Sequence, residues 1–280
     1  MADHFSSFSF VDRITGIEPG TRGQGCFAIP AGLPSFPSCL VAEAVGQLAA
    51  WVAMAHVEFR CRPVAGLAGE VRILGEVVPG QILDLGIEIE SCDLDAVAYA
   101  GRASAGDALA VEVSRCVGPM LPLEEFDAPG AVRGHFEALC GPGAPPGRFR
   151  GIAELDFELI DRDPGKWLRA ELQVPGSAPF FADHFPRRPV FPGTLLLHAQ
   201  MRLALKLAGD VLHPGPRARL EVRRIEDVKL RSFIPPGQVV ELRAETQANA
   251  GGTVAVAVAA RAAGKLVGSG RVGIVQREAG

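Results

Sequence analysis

The sequence has no C-x-x-C pair among its six cysteines (Cys26, Cys39, Cys61, Cys92, Cys116, Cys140), so free thiols in a reducing cytoplasm are expected. It has no basic segment followed by an apolar core in "MADHFSSFSF", which argues against secretion. It has no charge-free apolar run of membrane length either. The most apolar stretch, Leu40 to Ala55, falls short of the roughly 20 residues a span needs and carries Glu43 and Gln47. Positive charge is not in excess: the formal net charge is -4, which disfavours a nucleic-acid partner. What remains is a 280-residue chain with 48% apolar and 21% charged residues, the composition of a soluble globular protein. At roughly 150 residues per domain, two domains with two modest cores are expected.

What is present is an internal repeat. "IEPG" at 17–20 resembles "RDPG" at 162–165, "PSFPSCLVAEAVGQ" at 34–47 resembles "PVFPGTLLLHAQMR" at 189–202, and "VVPGQILDL" at 77–85 resembles "IPPGQVVEL" at 234–242. The offsets of 145, 155 and 157 place about ten extra residues in the second copy, just before its Pro-rich turn. After the third pair, "VAYAGRASAGDALAVEVSRCVG" and "VAVAVAARAAGKLVGSGRVG" each read as two small-residue strands joined at a Gly turn. Each copy therefore runs as a short strand region, a Pro-rich turn, one helix and several strands.

Between the copies, the Gly/Pro-rich segment "DAPGAVRGHFEALCGPGAPPGR" suits an exposed connection with one helical turn near His135 to Leu139. The boundaries predicted are 1–126, a linker at 127–147, and 148–280. The first helix, with Ser38 as N-cap, continues as "CLVAEAVGQLAAWVAMA", apolar on nearly every side and so buried all round. Its counterpart after Pro192-Gly193 becomes amphipathic at Arg202 and Lys206. Strands such as "QILDLGIEIES" and "VVELRAETQ" alternate apolar with polar residues, as half-buried antiparallel strands do.

The stretch "FFADHFPRRPVFPG" before an apolar helix, with "VKLRSFIPPGQVVELRAE" and "GGTVAVAVAARAAGKLVGSGRVGIV" behind it, resembles the bacterial β-hydroxyacyl-acyl carrier protein dehydratases. The likeness spans roughly 148–275 and, more weakly, roughly 8–118. It implies an α+β hot-dog fold, here a double hot dog of two tandem repeats, each with a central helix wrapped by an antiparallel sheet. It also implies a site in which a histidine from one unit meets a carboxylate on the central helix of another. The family's histidine falls on His184 and its oxyanion-type glycine on Gly193. The position of its acid holds His198, so the second copy lacks a carboxylate. In the frame offset by 155, the first copy has Ile29 in place of the histidine and Glu43 in place of the acid. Each copy keeps the half that the other has lost. One composite site, His184 and Gly193 with Glu43, is expected, together with one dead site at Ile29 and His198.

Eliminating water from a β-hydroxyacyl thioester needs a base for the α-proton, an acid for the departing hydroxyl and a donor for the growing oxyanion. His184 suits the base, since imidazole titrates near neutrality. Glu43, on an apolar helix, suits an acid kept protonated by desolvation. The N–H of Gly193 at a helix start suits the oxyanion donor, and its lack of a side chain admits a thioester closely. Gln47, one helical turn after Glu43, is expected to orient it. Val190, Arg187 and Arg188 complete the expected substrate and carrier contacts, and Arg223, Arg224, Lys229 and Arg231 are further candidates for a basic patch facing an acidic carrier protein. Arg187 stands where the family typically has glycine. His198 is read as structural, with no metal site, because no second metal-type residue sits at helical spacing beside it. The resemblance implies no cofactor of the enzyme's own: the substrate rides on the phosphopantetheine of acyl carrier protein, in fatty-acid or polyketide-type synthesis. A hot-dog acyl thioesterase and a non-catalytic acyl- or carrier-binding protein are the alternatives, because hot dogs serve several functions. A cytoplasmic protein without a membrane partner, possibly a dimer of double hot dogs, completes the expectation.

Overall fold

The computed structural model describes residues 7–145 and 147–278. Two hairpins begin the two copies: β1 (Arg13–Glu18) with β2 (Arg22–Ala28), and β8 (Phe157–Asp163) with β9 (Trp167–Gln173). The matching "EPG" and "DPG" tripeptides are their turns. Gly20 and Gly165 both stand at φ +73°, a conformation that costs glycine little and other residues more. Each hairpin leads to a long helix, α1 (Ser38–His56) or α3 (Gly193–Leu212). The cap is Pro37 in α1 and Pro192 in α3, neither with a side-chain bond. Ser38 is thus the first helical residue and not the N-cap. The proline carbonyls do the capping: Pro37 O accepts from Leu40 N and Val41 N, and Pro192 O accepts from Leu195 N and Leu196 N.

After α1 come β3 (Cys61–Pro63), β4 (Leu67–Ile73), β5 (Ile82–Cys92), β6 (Ala96–Ala105) and β7 (Ala108–Pro122). After α3 come β10 (Ala218–Leu230), β11 (Val239–Ala250), β12 (Thr253–Ala262) and β13 (Lys265–Glu278). The sheet runs β1-β2-β5-β6-β7-β4-β10-β13-β12-β11-β9-β8, with β3 paired to β7 off this path. Every pairing is antiparallel, and the order reads the same from either end, with the β4·β10 pairing (Val71 opposite Ile225) at its centre. The alternation read from sequence holds: Leu83, Leu85 and Ile87 of β5, and Val240, Leu242 and Ala244 of β11, point inward and are buried.

α1 packs against β2, β5, β6 and β7, and α3 against β9 to β13. Burial of residues such as Leu48 and Leu203, both at 0% exposure, stabilises this wrapping by roughly 1.5–3 kcal/mol each. This is the hot-dog arrangement. The expectation of two separate cores is corrected, because one buried cluster runs from Phe10 and Leu48 to Leu203 and Val272. The physical reason is that β4 and β10 join the two sheets edge to edge while α1 touches α3. Length alone did not dispose of α1 as a membrane span: at 19 residues it is long and apolar enough by length and composition. Its packing inside the sheet accounts for that apolarity.

The connecting segment holds more than one helical turn. α2 (Pro129–Cys140) is a 12-residue helix that buries Val132 and Leu139. All six cysteines are free thiols.

Candidate active site

Nine residues separate β2 from α1, but nineteen separate β9 from α3. The longer passage holds a single 3-10 turn (Pro179–Ala182) followed by His184. The passage is pinned at close intervals: His184 N donates to Phe180 O (2.9 Å), Val190 N to His184 O (3.0 Å) and Phe191 N to Ile234 O (2.8 Å). His184 Nδ1 lies 2.9 Å from Val190 O. A carbonyl only accepts, so Nδ1 carries the proton and Nε2 keeps its lone pair. The imidazole stacks on Phe185 (4.1 Å between centroids) and takes the edge of Phe8 (5.4 Å). Burial pushes its pKa down to about 4, the Val190 bond opposes this, and Arg62 adds to it. His184 is therefore held neutral well below pH 7 and does not titrate near it as the free side chain would.

Glu43 lies on α1 and reaches across to the start of α3. Its Oε1 accepts from Gln47 Nε2 (3.0 Å) and its Oε2 from Thr194 Oγ1 (2.8 Å). Burial raises its pKa, while these two bonds and the Arg62 charge pull it back. The Thr194 hydroxyl can turn to donate or accept, so the site accommodates both the acid and its anion. Gln47 is held in turn, its Oε1 accepting from Phe10 N (2.8 Å) and its Nε2 donating to Phe8 O (2.9 Å). The segment 7–10 is clamped from the other side by Asp183, whose Oδ2 accepts from Ser7 N, Phe8 N and Ser9 Oγ.

His184, Glu43, Gln47, Gly193, Val190 and Arg188 all line one cavity of about 700 Å³, within the usual size of small-molecule sites. These sequence-derived residues of both copies thus meet at one place, whereas Arg187, also expected there, does not line the cavity. A neutral imidazole with a free Nε2, a carboxyl group with a raised pKa and helix-start N–H groups can together take a proton, give a proton and hold an oxyanion. The reason for glycine at 193 is sharpened: a Cβ there would collide with the end of Leu230, so the missing side chain makes room for a cavity-lining leucine.

Other expectations are corrected. Ile29 is not the counterpart of His184. Ile29 N donates to Gln81 O exactly as far along the chain from its hairpin as Val174 N, which donates to Gln238 O, so Ile29 corresponds to Val174. The ten extra residues break the ungapped frame, and the first copy lacks the histidine loop altogether. Neither Ile29, buried at 2% exposure, nor His198 lines the cavity. His198 has its pKa lowered by burial and by Arg202. Arg223 and Arg224 are not free for an acidic partner. Arg223 pairs with Glu221, and Arg224 with Glu70 and Glu226. Arg188 pairs with Glu125 (2.9 Å), and Arg187 donates to Glu124 O (2.9 Å), so these two staple the histidine loop to the end of the first copy.

Sequence reasoning missed Asp183, Thr194 and Arg62. Asp183 and Thr194 sit beside quoted motif residues, and their adjacency to His184 and Gly193 was the available signal. Arg62 left no such mark.

Residues 161–271 match the ApeI-like family model, described as ApeI dehydratase. Among curated proteins, the chain is 31% identical over 115 residues to the 3-hydroxyacyl-[acyl-carrier-protein] dehydratase FabZ of Ruminiclostridium cellulolyticum, covering 41% of this chain and 80% of that protein. It is 34% identical over 92 residues to the FabZ of Rickettsia rickettsii, covering 31% of this chain and 63% of that one. Among solved structures, the tesB protein of Mycobacterium avium subsp. paratuberculosis superposes with a TM-score of 0.57 at 11% identity, over 94% of this chain and 96% of its own. That likeness carries the fold alone. The fold and the sheet-wrapped helices define a hot-dog protein. The chain belongs to the β-hydroxyacyl-[acyl-carrier-protein] dehydratase family.

Proposed function

We propose that the protein is a tandem double hot dog, 1–126 and 148–280 joined by 127–147, that removes water from a β-hydroxyacyl thioester to give the trans-2-enoyl thioester. Its substrate is carried on the phosphopantetheine of an acyl carrier protein, in fatty-acid or polyketide-type synthesis, and it uses no cofactor of its own. One composite site serves each chain. His184 Nε2 takes the α-proton, the Gly193 N–H steadies the negative charge growing on the thioester oxygen, and Glu43, in its acid form, protonates the departing hydroxyl. Val190 fixes the tautomer of His184 and Gln47 orients Glu43. The α-proton ends on His184 and the proton of Glu43 leaves with the hydroxyl as water. Proton exchange with solvent then restores both groups.

The observation that carries this reading is the Thr194–Glu43 hydrogen bond (2.8 Å). It ties the only carboxylate on α1 to the helix start beside Gly193, in the cavity that His184 lines. The test is turnover of crotonyl-type or longer thioesters, followed as hydration or dehydration, in wild type, His184→Ala and Glu43→Gln. Loss of turnover in both variants is expected. Wild-type rates in either would remove that residue from the site, and release of free thiol in place of enoyl product would identify a thioesterase.

A further inference from the structure

Arg62 lies on β3, a strand with no equivalent in the second copy: ten residues link α1 to β4, but only five link α3 to β10. Its side chain lines the cavity. Its Nε is shut from solvent and has no hydrogen-bond partner among the described residues. The guanidinium instead lies 3.9 Å from the centroid of Phe185, the ring on which His184 stacks. Burial lowers its pKa to about 10, and Asp127 and Glu43 oppose that shift as more distant charges. Shutting that N–H off from water without an acceptor is unfavourable, and the cation–π contact offsets only part of it. The group is thus held in place with its donors unspent, next to the reacting centre.

The position decides what those donors meet. Phe185 joins Phe126 (5.2 Å), Phe126 joins Phe233 (5.8 Å), and Arg188 lies over Phe233 (4.6 Å). Arg188 is 45% exposed, so this Arg–Phe ladder runs from the half-buried Arg62 to the surface. A thioester whose carbonyl sits at His184 carries its first amide only a few bonds along the arm that must lead out to the carrier. We propose that Arg62 is a substrate-positioning residue whose guanidinium donates to the amide carbonyl of the thioester's pantetheine-type arm, so that the enzyme reads the arm and not the acyl tail. This rests on the reading that the cavity takes an acyl thioester.

The test is direct binding to the full-length chain, by calorimetry, of two saturated thioethers with the same alkyl tail. One carries N-acetylcysteamine and the other a plain butyl group in place of that arm. Neither has a hydroxyl to eliminate or a thioester to cleave, so the result is independent of whether the protein is a dehydratase. Wild type is expected to bind the amide-bearing compound about 10-fold or more tightly than the butyl one, the scale of a hydrogen bond to a charged donor. Arg62→Met should erase that preference and leave butyl binding within about 2-fold. Arg62→Lys, which keeps the charge but not the planar fork, should retain only part of it and serves if the methionine variant fails to fold. Equal weakening of both compounds, or no change of preference in either variant, would overturn the proposal. So would a thioether with a carboxylate-ended tail gaining affinity through Arg62, because that would assign the guanidinium to the tail.

Discussion

The passage from β2 to α1 and the passage from β9 to α3 start from the same hairpin and end at the same proline-capped helix, yet one is nine residues and the other nineteen. The ten added residues carry the 3-10 turn, His184, and Asp183, which binds the 7–10 segment. On the helices the asymmetry is reversed, with Glu43 on α1 and His198 on α3. The halves therefore differ by more than residues exchanged within a common frame. One half has a loop that the other lacks, and only the half without the loop has the acid.

The largest effect should come from the retained pair. His184→Ala should lower kcat/KM for the thioester by about 10²–10⁴-fold, and Glu43→Gln by a similar factor, in steady-state assays. The comparison itself can be broken by trying to rebuild the second site: Ile29→His with His198→Glu in a His184→Ala background should recover no turnover. Ile29 occupies the place of Val174 and no loop exists to carry a histidine into a cavity. Recovery would show that the two frames are equivalent after all.

Acid should separate the halves through His184. Unfolded, its imidazole binds a proton below about pH 6.5, whereas in the folded site it does so only near pH 4. The unfolded chain thus gains the proton first, and stability falls as the pH drops from 6.5 to 4, by about 3 kcal/mol in all. Denaturant melts at pH 7 and 4.5 should show this loss in wild type and a smaller one in His184→Gln. Activity should fall with an acid limb near pH 4. Its alkaline limb should mark the ionisation of Glu43, displaced upward by burial.

Asp183→Ala removes the acceptor for three donors of segment 7–10 and should cost about 1–3 kcal/mol, read by thermal melting, with faster hydrogen exchange at Phe8 and Phe10. The smallest effect belongs to the centre of the sheet, where Arg224 is exposed and already paired. Arg224→Gln should change KM for a carrier-bound substrate by less than about 2-fold.

The sequence by itself determined the elements and their repetition. Turn glycines at 20 and 165, proline-started helices at 38 and 193, and strand alternation in β5 and β11 depend on interactions within a few residues, so they can be read along the chain. It also marked His184, Gly193 and Glu43, through a motif and its gap. Only the tertiary structure decided what fills that gap. An ungapped frame put Ile29 opposite His184, whereas the hydrogen bond to Gln81 puts it opposite Val174. It also decided that the two cores are one, that Asp183 reaches Phe8 and that Arg62 comes to rest over Phe185. These are meetings through space between residues far apart in the chain, fixed by the β4·β10 seam and the approach of α1 to α3, and no local pattern encodes them.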